Sequence, residues 1–392
     1  MFGISVSGIS GMFWRGFLRA ASTALAAGLA AAILGSSVTA VAAPDRVAAA
    51  VAGRLQGVAC DSSKSCVAVG GRSATSTGPG GTLAETWNGT KWSVVKSPDP
   101  SGSTGAVLNG VACTSAKNCL AVGDYFTSSR TTLPAAESWN GSKWSVVTIP
   151  APGGATDAAL LAISCASATS CQAVGINGED TLAESWNGSK WKIAPSPNPS
   201  AGKPNVLSGV ACPATSECWA GGYYFPGEDS GSLTEKWNGS KWSVVSTPTS
   251  KSGELIGDGC FSTADCMAVG IGNSFFAIAQ RWNGSKWATA PPAKPSGATS
   301  TQLNAASCPA SKTCESVGVN GEQTALAESW NGTKWAIQAT PSISGSTFAP
   351  LNGVSCTASG NCWAVGVSET STGAATPVIE HWNGSKWSVS AS

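Results

Sequence analysis

The sequence has one histidine and three tyrosines in 392 residues, and this scarcity limits the chemistry it can support. A structural zinc site uses four ligands, most often Cys and His. The 14 cysteines fall into pairs that supply two ligands each, and His381 cannot complete a set for all of them. We therefore expect no metal ion and no cofactor.

Charge is also scarce. Charged residues make up 11% of the chain, the formal net charge is +1, and no run of Lys and Arg occurs. Nucleic-acid binding needs a concentrated basic surface that displaces counterions from phosphates. We therefore expect no nucleic-acid partner. The low charge also argues against long disordered tails.

Long apolar runs are absent except near the N-terminus. An Ala/Leu-rich stretch, 20–34, follows two arginines, and small residues lead up to Ala42. This pattern predicts a signal peptide over 1–42 and a short linker over 43–54. A retained membrane anchor is the alternative, although the stretch is shorter than the roughly 20 residues that a spanning helix needs. We expect a secreted, extracellular protein with no membrane partner once the signal is cleaved.

No cysteine is left without a partner at a fixed spacing. Each pair is separated by six positions, which is typical of disulfides formed in an oxidising compartment. A bridge closing so small a loop contributes roughly 2 kcal/mol in the chain-entropy description. We predict the bridges Cys60–Cys66, Cys113–Cys119, Cys165–Cys171, Cys212–Cys218, Cys260–Cys266, Cys308–Cys314 and Cys356–Cys362.

The cysteine pairs belong to a unit of about 50 residues that returns seven times. In the third copy, 160–165, 171–175, 182–186 and 190–193 are short apolar or alternating runs separated by turn residues. These runs indicate four short strands and no helix in each copy. A single four-stranded sheet has nothing to cover its two faces, so neighbouring copies must stack on each other. The sequence predicts an all-β, seven-bladed β-propeller over 55–392, with four antiparallel strands and one disulfide per blade. We expect a monomer, with repeats starting near residues 55, 108, 160, 207, 255, 303 and 351.

Each copy ends in a Trp-Asn-Gly-Ser/Thr-Lys-Trp hairpin. Asn-Gly at the centre of a type I′ turn is one register, and Gly-Ser at the centre of a type II′ turn is the other. The second register places the two tryptophans opposite each other as a cross-strand pair. The same residues form N-glycosylation acceptor sequences, but turn chemistry alone also explains them.

The unit resembles the kelch repeat of galactose-oxidase-like central domains. The matching features are Gly-Val-Ala-Cys, Cys-x-Ala-Val-Gly, the Glu-x-Trp of strand three and the Trp that opens strand four. The likeness covers 55–392, although only Gly70-Gly71 supplies the kelch glycine doublet, and the paired cysteines are not a general kelch feature. It implies the propeller fold. The copper site of galactose-oxidase-like proteins uses Tyr and His, which this chain nearly lacks, and propellers host many functions.

Two charged positions recur with the tryptophans. We interpret the residues at these positions as forming scaffold contacts within each hairpin, and a cation-binding ring of carboxylates is the alternative. We attribute the paired tryptophans to packing between blades, and stacking on sugars is their alternative. The glutamates are Glu85, Glu137, Glu184, Glu235, Glu328 and Glu380, with Gln280 in the fifth copy. The hairpin lysines are Lys91, Lys143, Lys190, Lys241, Lys286, Lys334 and Lys386.

Function is expected where the copies differ, between strands two and three. The aromatic residues there could converge on one face and bind a ligand, or they could extend strand two and pack locally. Trp219 and Trp363 have the same two interpretations, and His381 occupies a variable position that does not indicate catalysis. We predict no catalytic residue. The candidate binding residues are Tyr125, Phe126, Tyr223, Tyr224, Phe225, Phe275 and Phe276.

The leading interpretation is a secreted, non-enzymatic binding or interaction propeller for an extracellular glycan, polymer or protein. One alternative is a hydrolase or lyase that acts on polysaccharide through paired carboxylates. A structural envelope component without a ligand is the other alternative. The acids that would serve the enzyme are Glu179, Asp180, Glu228 and Asp229.

Overall fold

The computed structural model describes residues 51–74, 80–248, 252–321 and 323–390. The predicted signal peptide and most of the predicted linker lie outside these residues. The compact unit is Val51–Ser392. Within the described part of the chain, no helix is long and apolar enough to cross a membrane.

Twenty-eight β-strands follow one another in seven groups of four. The first four groups are β1 Gly53–Ser62, β2 Ser65–Arg72, β3 Thr82–Trp87, β4 Trp92–Val95; β5 Ser103–Ser115, β6 Asn118–Thr127, β7 Thr132–Trp139, β8 Trp144–Val146; β9 Ala158–Ser167, β10 Ser170–Asn177, β11 Asp180–Trp186, β12 Trp191–Ile193; and β13 Asn205–Ala214, β14 Glu217–Tyr224, β15 Gly231–Trp237, β16 Trp242–Val244. The last three are β17 Glu254–Ser262, β18 Asp265–Ile271, β19 Ala277–Trp282, β20 Trp287–Thr289; β21 Thr301–Ala310, β22 Thr313–Asn320, β23 Thr324–Trp330, β24 Trp335–Gln338; and β25 Leu351–Ala358, β26 Asn361–Glu369, β27 Ala375–Trp382, β28 Trp387–Val389.

Each group forms one antiparallel sheet with its strands in sequence order, so the predicted seven blades of four strands are confirmed. Because the chain runs up and down within a blade, its turns divide between two ends. The turns between strands one and two, and between strands three and four, lie at one end, which we call the turn face. The loops between strands two and three, and the connectors between blades, lie at the other end, the loop face.

The seven predicted disulfides are confirmed, one in each blade. Each joins strand one to strand two beside the turn face. In the first blade the two cysteines, Cys60 and Cys66, are direct register partners. No cysteine is free in the described residues.

A β-bulge at the same place in every blade explains the glycine of Cys-x-Ala-Val-Gly. In the third blade, Gly175 pairs with Leu160 while Val174 pairs with Ala162, so Leu161 has no register partner. This bulge brings strand one so close that a Cβ on Gly175 would overlap the carbonyl oxygen of Ala159. A side chain cannot be accommodated there without moving the backbone.

We expect Gly175→Ala to destabilise the protein by about 1–3 kcal/mol, because the added methyl group meets fixed backbone rather than a mobile side chain. Gly153→Ala is the matched control, since a Cβ at Gly153 has open space around it. Urea unfolding of the two variants measures the difference. Equal stability would contradict the close approach at the bulge.

The hairpin register is the one that pairs the tryptophans. Trp87 and Trp92 are direct partners, with ring centroids 6.0 Å apart. Gly89 has φ +94°, while Asn88 is not among the residues with positive φ, so Gly-Thr rather than Asn-Gly forms the centre of the turn. The Asn88 Oδ1 accepts hydrogen bonds from the backbone N–H groups of Thr90 and Lys91 and from the Thr90 hydroxyl. The repeated Asn-Gly-Ser/Thr sequence therefore has a structural role in the turn.

The seven blades close into a ring through the same contacts that join consecutive blades. The Cys212 N–H donates to Ser164 of the preceding blade, and the Cys60 N–H of the first blade donates to Ser355 of the last, both at 3.0 Å. Asn352 likewise donates to the Leu55 carbonyl at 2.9 Å. Strands of the first and last blades belong to separate sheets, so noncovalent packing alone closes the ring.

Candidate functional site

The candidate aromatic residues divide between strand ends and loops. Tyr125 and Phe126 lie in β6, where they pair with Ala106 and Gly105 of β5. Both side chains are half-buried. They therefore extend strand two of the second blade.

The fourth blade carries three of the seven. Tyr223 and Tyr224 lie in β14, paired with Val206 and Asn205, and Phe225 follows the strand. The Tyr223 and Phe225 rings meet edge to face with centroids 6.0 Å apart. Burial raises the pKa of the Tyr223 hydroxyl, and the nearby carboxylate of Glu254 from the fifth blade adds to this effect. The tyrosine therefore stays neutral and can donate or accept hydrogen bonds.

Hydrogen bonds connect the loops of the fourth and fifth blades. Ser230 donates to the Asn273 Oδ1 at 3.0 Å, and the Asn273 Nδ2 donates back to the Ser230 carbonyl at 3.1 Å. Ser230 also hydrogen-bonds the Glu254 carboxyl, whose pKa burial raises. The two loops are thus held in a fixed relation beside Tyr223.

Phe275 is the most exposed of the candidates. Its side chain is 68% exposed, and its φ of 64° is in the left-handed region that a bulky residue rarely adopts. Backbone hydrogen bonds hold it there: its N–H donates to the Gly272 carbonyl at 2.8 Å, and the Thr301 N–H donates to its carbonyl at 3.0 Å. The adjacent Phe276 has the Lys294 ammonium 3.6 Å from its ring centroid.

The structure therefore brings five candidates onto neighbouring blades and leaves two apart. We call Tyr223, Tyr224, Phe225, Phe275 and Phe276 the blade 4/5 cluster because they lie at the loop face of these two blades. Tyr223 and Phe225 contact each other, whereas Phe275 and Phe276 contact Thr301 and Lys294 on the side of the sixth blade. Tyr125 and Phe126 belong to the second blade, separated from this cluster by the third.

The interface between the fourth and fifth blades also carries two linked departures from the repeat pattern. Asp258 replaces an aliphatic residue, and its Oδ2 accepts a hydrogen bond from the Gly221 N–H at 2.8 Å. Burial raises the pKa of Asp258 to about 7. Gly221 replaces the usual valine, and a Cβ there would lie 2.7 Å from the same carboxylate oxygen. The two substitutions are therefore complementary.

The four acids proposed for the alternative hydrolase or lyase lie on the loop face of the third and fourth blades, and all are exposed. Most of the carboxyl groups with raised pKa values lie instead inside the blades, on the repeated glutamates. In the described residues, no group of three or more His, Cys, Asp or Glu side chains could hold a metal ion.

Three of the six repeated glutamates accept a hydrogen bond from the connector that joins the preceding blade, and none is paired with a hairpin lysine in the described residues. Ser97 in the connector before the second blade donates to the Glu137 Oε2 at 2.8 Å, and Ser196 donates likewise to Glu235. Each repeated carboxyl is at most 1% exposed. Desolvation raises the pKa of Glu137 to about 7 and those of Glu184 and Glu235 to about 8.

Trp219 and Trp363 are buried between neighbouring blades rather than exposed. Trp219 is 1% exposed and lies 4.5 Å from Trp282 of the next blade; Trp363 is 3% exposed and lies 4.7 Å from Trp87. His381 stacks on Trp363 with centroids 4.3 Å apart, and burial lowers its pKa. These residues are structural.

A groove of about 500 Å³ lies away from the blade 4/5 cluster. It runs between the connector residues 245–248 and the tryptophan hairpin of the fifth blade, with Lys286 as its one charged lining residue. It is open and holds no group of candidate residues.

No protein-family model and no curated protein matches the chain. Solved structures do match, at identities that show the fold alone. The β-propeller domain of the Trilobed protease from Pyrococcus furiosus, described as having an open velcro topology, has a TM-score of 0.54 and 9% identity over 87% of this chain and 98% of that chain. YCF48 bound to D1 peptide has a TM-score of 0.52 and 10% identity over 83% and 93%. U3-55K has a TM-score of 0.52 and 10% identity over 80% and 88%. These structures support the propeller; the kelch resemblance stays a prediction.

Proposed function

We propose that the protein is a secreted, non-enzymatic propeller that binds an extracellular glycan, polymer or protein at the blade 4/5 cluster. The exposed ring of Phe275 carries the proposal. An aromatic side chain held in the left-handed region costs backbone energy, and such strain concentrates at ligand sites. Nothing in the packing of the blades requires a phenylalanine there, because its side chain is 68% exposed.

The surroundings of Phe275 suit a neutral or weakly polar ligand. Aromatic rings offer flat apolar area for sugar rings or apolar side chains, and a polar rim fixes orientation. Here the adjacent Phe276 supplies further aromatic area, and the Tyr223–Phe225 pair lies on the neighbouring blade, whose loop is hydrogen-bonded to that of Phe275 through Asn273 and Ser230. A propeller with the same architecture, YCF48, has been solved with a peptide bound, which is consistent with a binding role.

Secretion and the absence of catalysis are part of the same proposal. Seven disulfides fit an oxidising, extracellular compartment. The repeated glutamates have raised pKa values, as a general acid would, but their side chains are fully buried between blades, where a polysaccharide cannot reach them. No second function is favoured by a specific contact.

We expect Phe275→Asn to weaken ligand binding at least tenfold while leaving the melting temperature unchanged or raised. Asparagine tolerates positive φ, so the substitution removes the ring and relieves strain together. Binding is first screened on an array of extracellular glycans and on insoluble cell-wall material, and the variant is then compared on the best target.

Phe261→Asn is the matched control, because Phe261 is 49% exposed near the end of β17 at the opposite face. Tyr223→Ser tests the neighbouring ring. Unchanged binding by both Phe275→Asn and Tyr223→Ser would remove the cluster as the site. Failure of every probe would favour the structural envelope component.

A further inference from the structure

The fold gathers lysines onto the turn face although the sequence contains no basic run. The fourteen turns of this face contain all seven hairpin lysines together with Lys64, Lys117 and Lys312. All ten are exposed. The chain as a whole has a formal net charge of only +1, so this concentration arises from the placement of residues about 50 positions apart.

Acidic residues do not neutralise this face. The fourteen turns contain no acid, and three acids lie within two residues of them at the ends of strands: Asp61 in β1, Glu217 in β14 and Asp265 in β18. Glu217 is paired with Lys236 at 2.9 Å, and Asp265 is paired with Arg281 at 3.0 Å. Among the described residues, Asp61 is therefore the one acid of these strand ends without an ion pair.

The turn itself does not need a lysine side chain. In the first blade only the backbone N–H of Lys91 is used, as a donor to the Asn88 Oδ1 at 3.1 Å. No hairpin lysine makes an ion pair or a cation–π contact within the described part of the chain. Seven ammonium groups at equivalent positions of a closed ring are left to interact with something outside the molecule.

One exposed aromatic residue accompanies the lysines. Phe261 follows the first cysteine of the fifth blade, lies in β17 one residue before the strand ends at the turn face, and is 49% exposed. An aromatic side chain among lysines is the combination found where proteins rest on the boundary between anionic headgroups and acyl chains.

We propose that the turn face binds the surface of an anionic phospholipid bilayer. The equivalent lysines of all seven blades end on the same side of the ring, so a planar partner meets them together, whereas a single linear polymer meets only neighbouring blades at once. Their potentials add over the face. The loop face, with the blade 4/5 cluster, would then point away from the bilayer. We expected no membrane partner from the sequence because no segment after the predicted signal peptide is long and apolar enough to span a bilayer, but binding at the bilayer surface needs no such segment.

The test is co-sedimentation with vesicles of phosphatidylglycerol and phosphatidylcholine, compared with vesicles of phosphatidylcholine alone. We expect binding only to the anionic vesicles, and loss of binding at about 1 M salt, where the Debye length falls to about 3 Å. Replacing Lys91, Lys143 and Lys190 by Gln lowers the partition coefficient on the order of 100-fold, since each lysine near an anionic surface contributes a factor of roughly five. Phe261→Asn lowers it without changing the salt dependence.

Lys96, Lys203 and Lys294 replaced together by Gln form the matched control, because these exposed lysines lie in the connectors on the loop face and the change in net charge is the same. This control retains vesicle binding. Equal losses in the two triple variants would show that net charge alone is responsible and would overturn the proposal. Retention on heparin or polyphosphate without vesicle binding would also overturn it and would assign the face to a soluble polyanion. The melting temperature of each variant confirms folding.

Discussion

Glu184→Gln stabilises the protein at pH 8 and has little effect at pH 5. Both oxygens of Glu184 lack a hydrogen-bond partner in the described structure, and burial raises its pKa from 4.5 to about 8. The folded state therefore keeps a proton that the unfolded chain releases above pH 4.5. The contribution of protonated Glu184 to the free energy of unfolding is therefore fully present below pH 4.5 and is lost as the pH rises to about 8. Between these values the free energy of unfolding falls by about 1.4 kcal/mol per pH unit.

The fifth blade provides the reverse experiment. Gln280, the uncharged analogue of a protonated glutamic acid, occupies the same position and is also fully buried. We expect Gln280→Glu to lower the free energy of unfolding at pH 8 by on the order of 2–4 kcal/mol and to change it little at pH 5. Denaturant unfolding from pH 5 to pH 8 measures both variants, with the exposed Glu179→Gln as the control.

Combining glutamine at all six repeated positions flattens most of the pH dependence. A smaller slope remains, because burial also raises the pKa of Asp124 to about 6, of Asp258 to about 7 and of Glu315 to about 8. Wild-type stability that rises between pH 5 and pH 8 would contradict this account. It would mean that the glutamates are held ionised, as a cation-binding ring requires.

The repeats made much of this fold predictable. Cysteines six positions apart in every copy indicate pairing inside a blade, and alternation around Trp-Asn-Gly predicts the outer hairpin. The sequence left two registers open, and φ at Gly89 selects the one with paired tryptophans. Alternation also places Glu85 on the same side of its strand as Trp87, but it does not reveal that this side contacts the preceding blade. The expected contact of Glu85 within its hairpin does not occur, since neither of its carboxyl oxygens has a hydrogen-bond partner in the described structure.

The candidate site was less predictable for two physical reasons. The length of strand two depends on its neighbours: Tyr125 and Tyr223 belong to strands because β5 and β13 extend far enough to pair with them. In the segments where the copies differ, no repeat pattern indicates where strand two ends. The concentration of lysines on the turn face was not predicted from the sequence. These lysines are about 50 residues apart in the chain and come onto one face only when the ring closes, so a search for local runs of charge does not find them.

Trp363→Ala weakens the closure of the ring. The Trp363 side chain packs between Trp87 and Trp92 of the first blade, at centroid distances of 4.7 and 5.3 Å. Removing a buried tryptophan leaves a cavity that costs about 3–5 kcal/mol. The last and first blades share no strand, so this interface has no covalent connection to limit its opening.

Trp219 supplies the matched comparison, since it packs against Trp282 and Trp287 at 4.5 and 5.3 Å across an interface between consecutive blades. We expect Trp363→Ala and Trp219→Ala to lower the melting temperature similarly. Amide hydrogen exchange distinguishes them: Trp363→Ala accelerates exchange in β1 and β25 selectively, because local opening begins where no peptide connects the blades. Trp219→Ala has no such effect at the closure. Equal exchange in β1 for the two variants would show that the ring opens as one cooperative unit, and that the hydrogen bonds from Asn352 and Cys60 hold the closure without the tryptophan.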